Sequence, residues 1–313
     1  MDIFKDKKIL IIGGTGSLGQ ELVKELLKYK VKELRIFSRD EEKQLNMQRK
    51  ISDQRLKFII GNIRDFDALI QATKNVDILY HAAALKIIPV CEEFPRESLK
   101  TNLLGTLNVK DASLLNKVPK SIFVNTDKAV QPVNVYGACK MIAEKVWINN
   151  QSYSAKFSSV RYGNVIGSRG SVIPFFRKLI ADLKPIPVTD VRMTRFFLTL
   201  KRAIKEIIYV TENMCGGEIF IPKLSSCKIM DLVRAMASSS YPIKIIGQRP
   251  REKIHEILIS EEEVRRTEET KKRYIVHPYG TFKSKKTHAD YSSKNAKNMT
   301  IVKIKKLLRE CDL

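Results

Sequence analysis

An apolar run that breaks into evenly spaced glycines constrains this chain more than any other stretch. Lys8-Ile9-Leu10-Ile11-Ile12 leads straight into Gly13-Gly14-Thr15-Gly16-Ser17-Leu18-Gly19, and Leu22, Leu26 and Leu27 follow at helical spacing. A short apolar run without alternation fits a strand buried on both faces. Glycines at 13, 16 and 19 let the chain turn tightly and let a pyrophosphate approach the backbone amides at the helix N-terminus. Gly13, Thr15, Gly16, Ser17, Leu18 and Gly19 are therefore candidate contacts of a dinucleotide.

The next expected strand, Leu34-Arg35-Ile36-Phe37, ends in Ser38-Arg39-Asp40, with Lys43 just beyond. A dinucleotide-binding sheet carries at this point either an acid for the ribose 2′-hydroxyl or a cation for a 2′-phosphate. Ser38, Arg39 and Lys43 suit the phosphate, so NADP is expected rather than NAD, with Asp40 left open as a ribose acid. Further strands are expected at Leu56–Ile60 and 76–80. After the latter come His81, read as a satisfied structural histidine, and Ala82, Ala83 and Ala84. Small residues there allow the backbone to lie close against a flat ligand. Strand-then-helix units about thirty residues long describe an α/β fold, a doubly wound parallel (Rossmann) sheet. It is placed at 1–165 and about 196–214, with a smaller, interleaved substrate-binding domain at 166–313.

A strand expected at 120–124 runs into Asn125-Thr126-Asp127-Lys128, and Tyr136-Gly137-Ala138-Cys139-Lys140 follows. Strand ends are the usual place for chemistry in an open parallel sheet. Tyr136 and Lys140 are four apart and share one helix face. An ammonium beside a phenol lowers the tyrosine pKa toward proton transfer at neutral pH.

These stretches, with Thr101-Asn102, resemble an extended short-chain dehydrogenase/reductase acting on a nucleotide sugar. More selective matches follow in order: Ser38-Arg39-Asp40-Glu41, Ala84-Leu85-Lys86, Thr126-Asp127-Lys128-Ala129 and Arg161-Tyr162-Gly163-Asn164-Val165. Gly167-Ser168-Arg169-Gly170-Ser171-Val172-Ile173-Pro174-Phe175-Phe176, Met193-Thr194-Arg195-Phe196 and Gly216-Gly217-Glu218-Ile219-Phe220 complete the series. Together they resemble the soluble, inverting UDP-N-acetylglucosamine 4,6-dehydratases of surface-polysaccharide and pseudaminic acid pathways, from about residue 8 to about 308.

The resemblance implies oxidation of the sugar at C4, loss of water across C5 and C6, reduction at C6 and inversion at C5, with the dinucleotide regenerated. It implies Tyr136, supported by Lys140, for the C4 hydroxyl proton, Asp127 as the acid, Lys128 as the base, and Thr126 on the C4 hydroxyl. Burial is expected to favour the neutral forms of both Asp127 and Lys128. Asn62 and Ile63 join the cofactor contacts, with Tyr136 and Lys140. Lys86, Asn164, Arg195, Arg249 and Glu252 become substrate contacts, arginine because its fork pairs bidentately with phosphate. Dimers or hexamers are implied as well. Four positions depart from the family pattern: Asn62 for aspartate, Ile87 for histidine, Arg251 for glycine and, neutrally, Cys139 for threonine.

Charge narrows the partners. The net charge of +23 raises nucleic acid. Yet the excess is spread along the chain and is steepest at 151–250, with 16 basic against 6 acidic residues, where the UDP-sugar is expected. An anionic small substrate explains this better than a nucleic-acid groove. The five cysteines have neither paired spacing nor histidine partners, so no disulfide framework or metal site is expected. No apolar run approaches membrane-spanning length, and a cytoplasmic protein without membrane partners is expected. Glu261 to Arg266 alternate in sign, as an exposed element does, and 280–300 reads as a surface excursion before a short last helix. Two other functions stay open: a nucleotide-sugar 4-epimerase, and a non-catalytic dinucleotide-binding sensor or scaffold.

Overall fold

The computed structural model describes residues 2–149, 154–168, 171–238, 240–282 and 290–311. Arg169 and Gly170 of the quoted matches, and 283–289 of the expected excursion, lie outside the described residues. Six strands run parallel in the order β3-β2-β1-β4-β5-β6: β1 (Lys8–Ile12), β2 (Glu33–Ser38), β3 (Leu56–Ile60), β4 (Ile78–His81), β5 (Lys120–Thr126) and β6 (Lys156–Tyr162). This is the doubly wound sheet expected from the sequence. Ile219–Pro222 extends it in parallel beyond β6, and Arg273–Val276 and Thr267–Glu269 add antiparallel strands, giving nine.

Side chains alternate across β1. Ile9 and Ile11 enter one core with Leu22, Val23 and Leu26 of the helix Ser17–Leu26 and Ile207 of the helix Leu200–Asn213. Leu10 and Ile12 enter the other with Phe123, Trp147 and Phe157. Both faces are covered, which is why the run shows no polar alternation. β4 starts two residues later than the apolar pattern expects. Asp77 instead holds its neighbour, its carboxylate accepting from the Lys8 amide at 2.8 Å and Lys7 Nζ at 3.3 Å.

The remaining segments form smaller sheets. Asn164–Val165, Thr194–Leu198 and Ser226–Lys228 make one; Ile186–Val188 pairs with Ile243–Ile245, and Ile257–Ile259 with Tyr291–Ser292. A separate core of Ile173, Phe176, Phe197, Leu232, Ile304 and Leu308 ties them to the last helix, Ile301–Arg309.

Two expectations of exposure hold only in part: Glu261, Glu262 and Arg265 are exposed, as are Lys294, Asn295, Lys297, Asn298 and Thr300, but other residues are not. Glu263 and Arg266 are buried, because Glu263 serves both the capping box of the helix Glu261–Val264 and an ion pair with Arg161 at 2.9 Å. Arg161 also bonds Glu144 and the Leu258 carbonyl, so two glutamates from opposite sides neutralise one buried guanidinium. In the expected excursion, Ser292 and Ser293 are buried against the strand Ile257–Ile259 and Glu256. Sequence pattern misjudged these residues because their partners are distant.

Candidate active site

A cleft of about 1250 Å³ opens at the carboxyl ends of β1, β2, β4 and β5, where the strand order reverses. Its first wall is the turn after β1. Gly13 has φ of +82°, and a Cβ there would lie 2.8 Å from the Ala83 amide nitrogen, so the crest and the Ala82–Ala84 stretch meet backbone to backbone. Thr15, Gly16, Ser17, Leu18 and Gly19 line the same wall, with Ile63. Ser38, Arg39, Asp40 and Lys43 line it beyond β2. Asp40 caps the helix Glu41–Lys50, accepting from the Lys43 amide at 2.9 Å, and the Lys43 ammonium pairs with the same carboxylate. Gln44 fastens the Ser38 hydroxyl and carbonyl. Asn62 does not line the cleft; its side chain accepts from the Arg64 amide within its own turn. Glycine crest, alanine floor and basic rim fit a dinucleotide.

The floor is the end of β5. Thr126 caps the short turn Asp127–Ala129, and the helix Val135–Ile148 comes down on it so closely that a Cβ at Gly137 would lie 2.3 Å from the Lys128 carbonyl. Asn134 caps this helix through the Gly137 amide at 2.8 Å. Tyr136, Lys140, Thr126 and Lys128 all face the cleft. Asp127 is fully buried beneath Lys128 and Thr126 and is absent from the lining. Lys128 Nζ bonds Asp127 Oδ1 and Asn164 Oδ1, each at 3.0 Å, and lies 3.5 Å from Glu256.

The charge states differ from those expected. Burial alone would push the Lys128 ammonium down, but Asp127 and Glu256 outweigh it, against Arg195, and hold its pKa above the usual lysine range. Asp127 behaves as expected: burial raises it, and Glu256 adds to the rise against Lys128 and Thr126. Burial pushes the Tyr136 phenol up to about 12; the cation that opposes this is Lys128, not Lys140. Lys140 donates to the Val124 carbonyl at 2.8 Å and stands 3.6 Å over the Phe123 ring, and burial lowers it to about 7 despite Glu144. His81, expected to be a satisfied structural histidine, is only half satisfied: its Nε2 meets the Thr106 hydroxyl at 3.0 Å, its buried Nδ1 has no hydrogen-bond partner among the described residues, and burial depresses its pKa to about 3.

The third wall carries Lys86, Asn164, Arg195, Arg249 and Glu252. Asn102, in the wide π-turn Leu99–Leu104, clamps Leu85 beside Lys86 through both its amide and its carbonyl, at 2.8 Å each. Arg195 is committed inward, donating to the carbonyls of Lys253 and Ile254 at 2.9 and 3.0 Å. Arg249 is exposed at the rim. Arg251 has φ of +64°, a region that suits the glycine of the family pattern. Its guanidinium is held by Glu92, whose other oxygen takes the Val135 amide at 2.6 Å, and Asn134 donates to its carbonyl at 3.2 Å.

Sequence reasoning missed three residues here. Glu256 lines the cleft only 3% exposed. Asn125, 3% exposed at the end of β5, reaches the cleft wall with neither amide atom partnered among the described residues. Glu92 links two walls. Asn125 could have been found from its strand-end position; Glu256 and Glu92 answer only to distant partners.

Known proteins agree with this geometry. The polysaccharide biosynthesis protein family matches residues 9–278. The UDP-N-acetylglucosamine 4,6-dehydratase (inverting) of Campylobacter jejuni is 46% identical over 282 residues, 88% of this chain and 84% of that one. A UDP-glucose 4-epimerase of Rickettsia bellii is 38% identical over 332 aligned positions, 99% of this chain and 97% of that one. The X-ray structure of Pen from Bacillus thuringiensis superposes with a TM-score of 0.93, at 36% identity and 98% coverage of both chains.

Proposed function

The chain belongs to the polysaccharide biosynthesis protein family, a nucleotide-sugar-modifying branch of the extended short-chain dehydrogenases, and from that premise we propose a C5-inverting UDP-N-acetylglucosamine 4,6-dehydratase. Residues 1–165 and about 196–214 hold the dinucleotide in this reading, and 166–313 the nucleotide sugar. One observation carries it: beyond Tyr136 and Lys140, the cleft floor presents Lys128 with Asp127 joined to it from beneath at 3.0 Å. A 4-epimerase, which loses no water, has no use for that pair.

NADP is the proposed dinucleotide, since Asp40 is engaged by Lys43 and the helix cap while Arg39 lines the rim. When bound, it would supply the hydride acceptor for oxidation at C4 of the sugar and the hydride donor for reduction at C6. Thr126 holds the C4 hydroxyl, and Tyr136 takes its proton as the phenolate, after its phenol has passed a proton to solvent. The C4 ketone acidifies C5–H, and Lys128 takes that proton after its ammonium has passed one to solvent; C5 later regains a solvent-derived proton on the opposite face, which inverts it. Asp127, kept protonated by burial, supplies the proton on which the C6 oxygen leaves as water. Lys86 and Arg249 meet the diphosphate, and Arg195 orders the segment bearing Lys253 and Ile254.

The test is incubation with UDP-N-acetylglucosamine in deuterium oxide, with and without added NADP+, followed by mass spectrometry and proton NMR. Loss of one water, a 6-methyl signal and one deuterium at C5 are expected, with Lys128→Ala blocking the deuterium and Tyr136→Phe slowing oxidation about 10²–10⁴-fold. An unchanged mass with a C4-inverted sugar would make the protein an epimerase.

A further inference from the structure

Glu256 has no part in the chemistry above, yet it stands in the cleft wall at 3% exposure. Its backbone is fixed at both ends of one peptide pair: its amide donates to Ser293 Oγ at 2.8 Å, and its carbonyl accepts from the Ser293 amide at 2.7 Å. Three cations face its carboxylate: Lys128 at 3.5 Å, Arg195 at 3.8 Å and Lys253 at 3.9 Å. Asp127 has one, Lys128 at 3.0 Å. Its Oδ1 also accepts from the Thr126 hydroxyl at 3.0 Å, while Oδ2, like Glu256 Oε2, has no hydrogen-bond partner among the described residues.

Two buried carboxylates that share one ammonium repel each other's charge, and the one with more cations around it keeps the charge. The other titratable or charged groups around them do not reverse that order. Tyr136, from the helix, is a phenol held neutral. Glu252 faces Arg195 at 3.5 Å. His255 turns its ring to the Thr194 hydroxyl at 2.8 Å. The strand Ile257–Ile259, packed on the Asp127–Ala129 turn, contributes only apolar side chains.

Resting on the dehydratase reading, we propose that Glu256 is a positioning residue for the elimination step. It supplies the negative charge that pairs with Lys128 and so leaves Asp127 holding its proton. A glutamate at this position thereby makes its partner aspartate an acid, without itself meeting the departing oxygen.

Infrared spectroscopy of the purified protein reads the protonated carboxyl directly, and Asp127→Asn identifies the band. The wild type is expected to show that band at neutral pH. In Glu256→Gln the band should vanish at neutral pH and return about one pH unit or more lower. The alkaline fall of kcat/KM for UDP-N-acetylglucosamine should move the same way. Glu256→Asp keeps the charge one methylene further back and is expected to lie between, which also serves if the glutamine variant does not fold. An Asp127 band that persists in both variants with unchanged pH dependence would overturn the proposal, as would its absence from the wild type. Should the wild type fail to turn over the sugar, the dehydratase reading falls, while the infrared arm still decides the role of Glu256.

Discussion

One wall of the cleft is set chiefly by backbone that a single turn shapes, whereas another is assembled from side chains that meet only in space. Gly13 to Gly19 act through backbone that their own turn shapes, against the Ala82–Ala84 stretch one strand away. Against burial, Lys128 by contrast keeps its charge through Asp127 beside it and Glu256 far along the chain, with Arg195 opposing them. The difference has an electrostatic lesson. A backbone cradle is set by local geometry, while the charge of a buried side chain is a property of everything that surrounds it.

The contrast can be strained hardest at Arg161, which fastens the helix of Tyr136 to the distant segment carrying Glu263. Arg161→Met leaves two buried glutamates without their cation and should cost about 3–5 kcal/mol in chemical denaturation. The same pair sets an acid limit. Burial pushes Glu263 up, but Arg161 outweighs it and holds the pKa down to about 2, below the unfolded value. The stabilisation is therefore full above the unfolded carboxylate pKa and is lost as pH falls toward about 2. Arg161→Met should flatten that slope in denaturation curves taken at a series of acid pH values. A loss below about 1 kcal/mol would mean that the long-range pairs are incidental to stability.

On the local wall the expected effect is smaller and falls on binding. Gly13→Ala puts a side chain at a left-handed φ, at about 1–2 kcal/mol, before any clash with Ala83. Fluorescence titration should show NADP binding weakened roughly tenfold or more. Undiminished binding would mean that the crest is not the cradle. Asp40→Ala is the mildest change, about 1 kcal/mol of stability from the lost cap. Its sharper readout is cofactor choice: a cap leaves the preference for NADP over NAD unchanged, whereas a ribose acid would make NAD binding fall selectively.

The same contrast explains what the sequence disclosed. β1 and β3 lie where their apolar runs place them, and Tyr136 and Lys140 share the helix that their spacing implies. Both signals are contained in a few consecutive residues. The upward shift of Asp127 was legible because burial is its largest cause, with Glu256 adding to it. The upward shift of Lys128 was not: against burial, Asp127 beside it and then Glu256, which no spacing rule connects to it, hold it up. Lys140 was expected to act on Tyr136, but the Val124 carbonyl and the Phe123 ring claim its ammonium. Glu263 looked like one charge in an exposed run because its partner, Arg161, belongs to β6.

The clasp of Glu92, Asn134 and Arg251 has one more consequence. Asn134 uses one end of its amide to cap the helix of Tyr136 and the other to hold the carbonyl of Arg251, while Glu92 joins the helix's first amide to the Arg251 guanidinium. Moving the Arg251 segment outward breaks the bond from Asn134 and separates Arg251 from Glu92, loosening two ties of the helix's first turn at once. The rim at Arg251 and the first turn of the Tyr136 helix are thus tied through the same two side chains, Asn134 and Glu92.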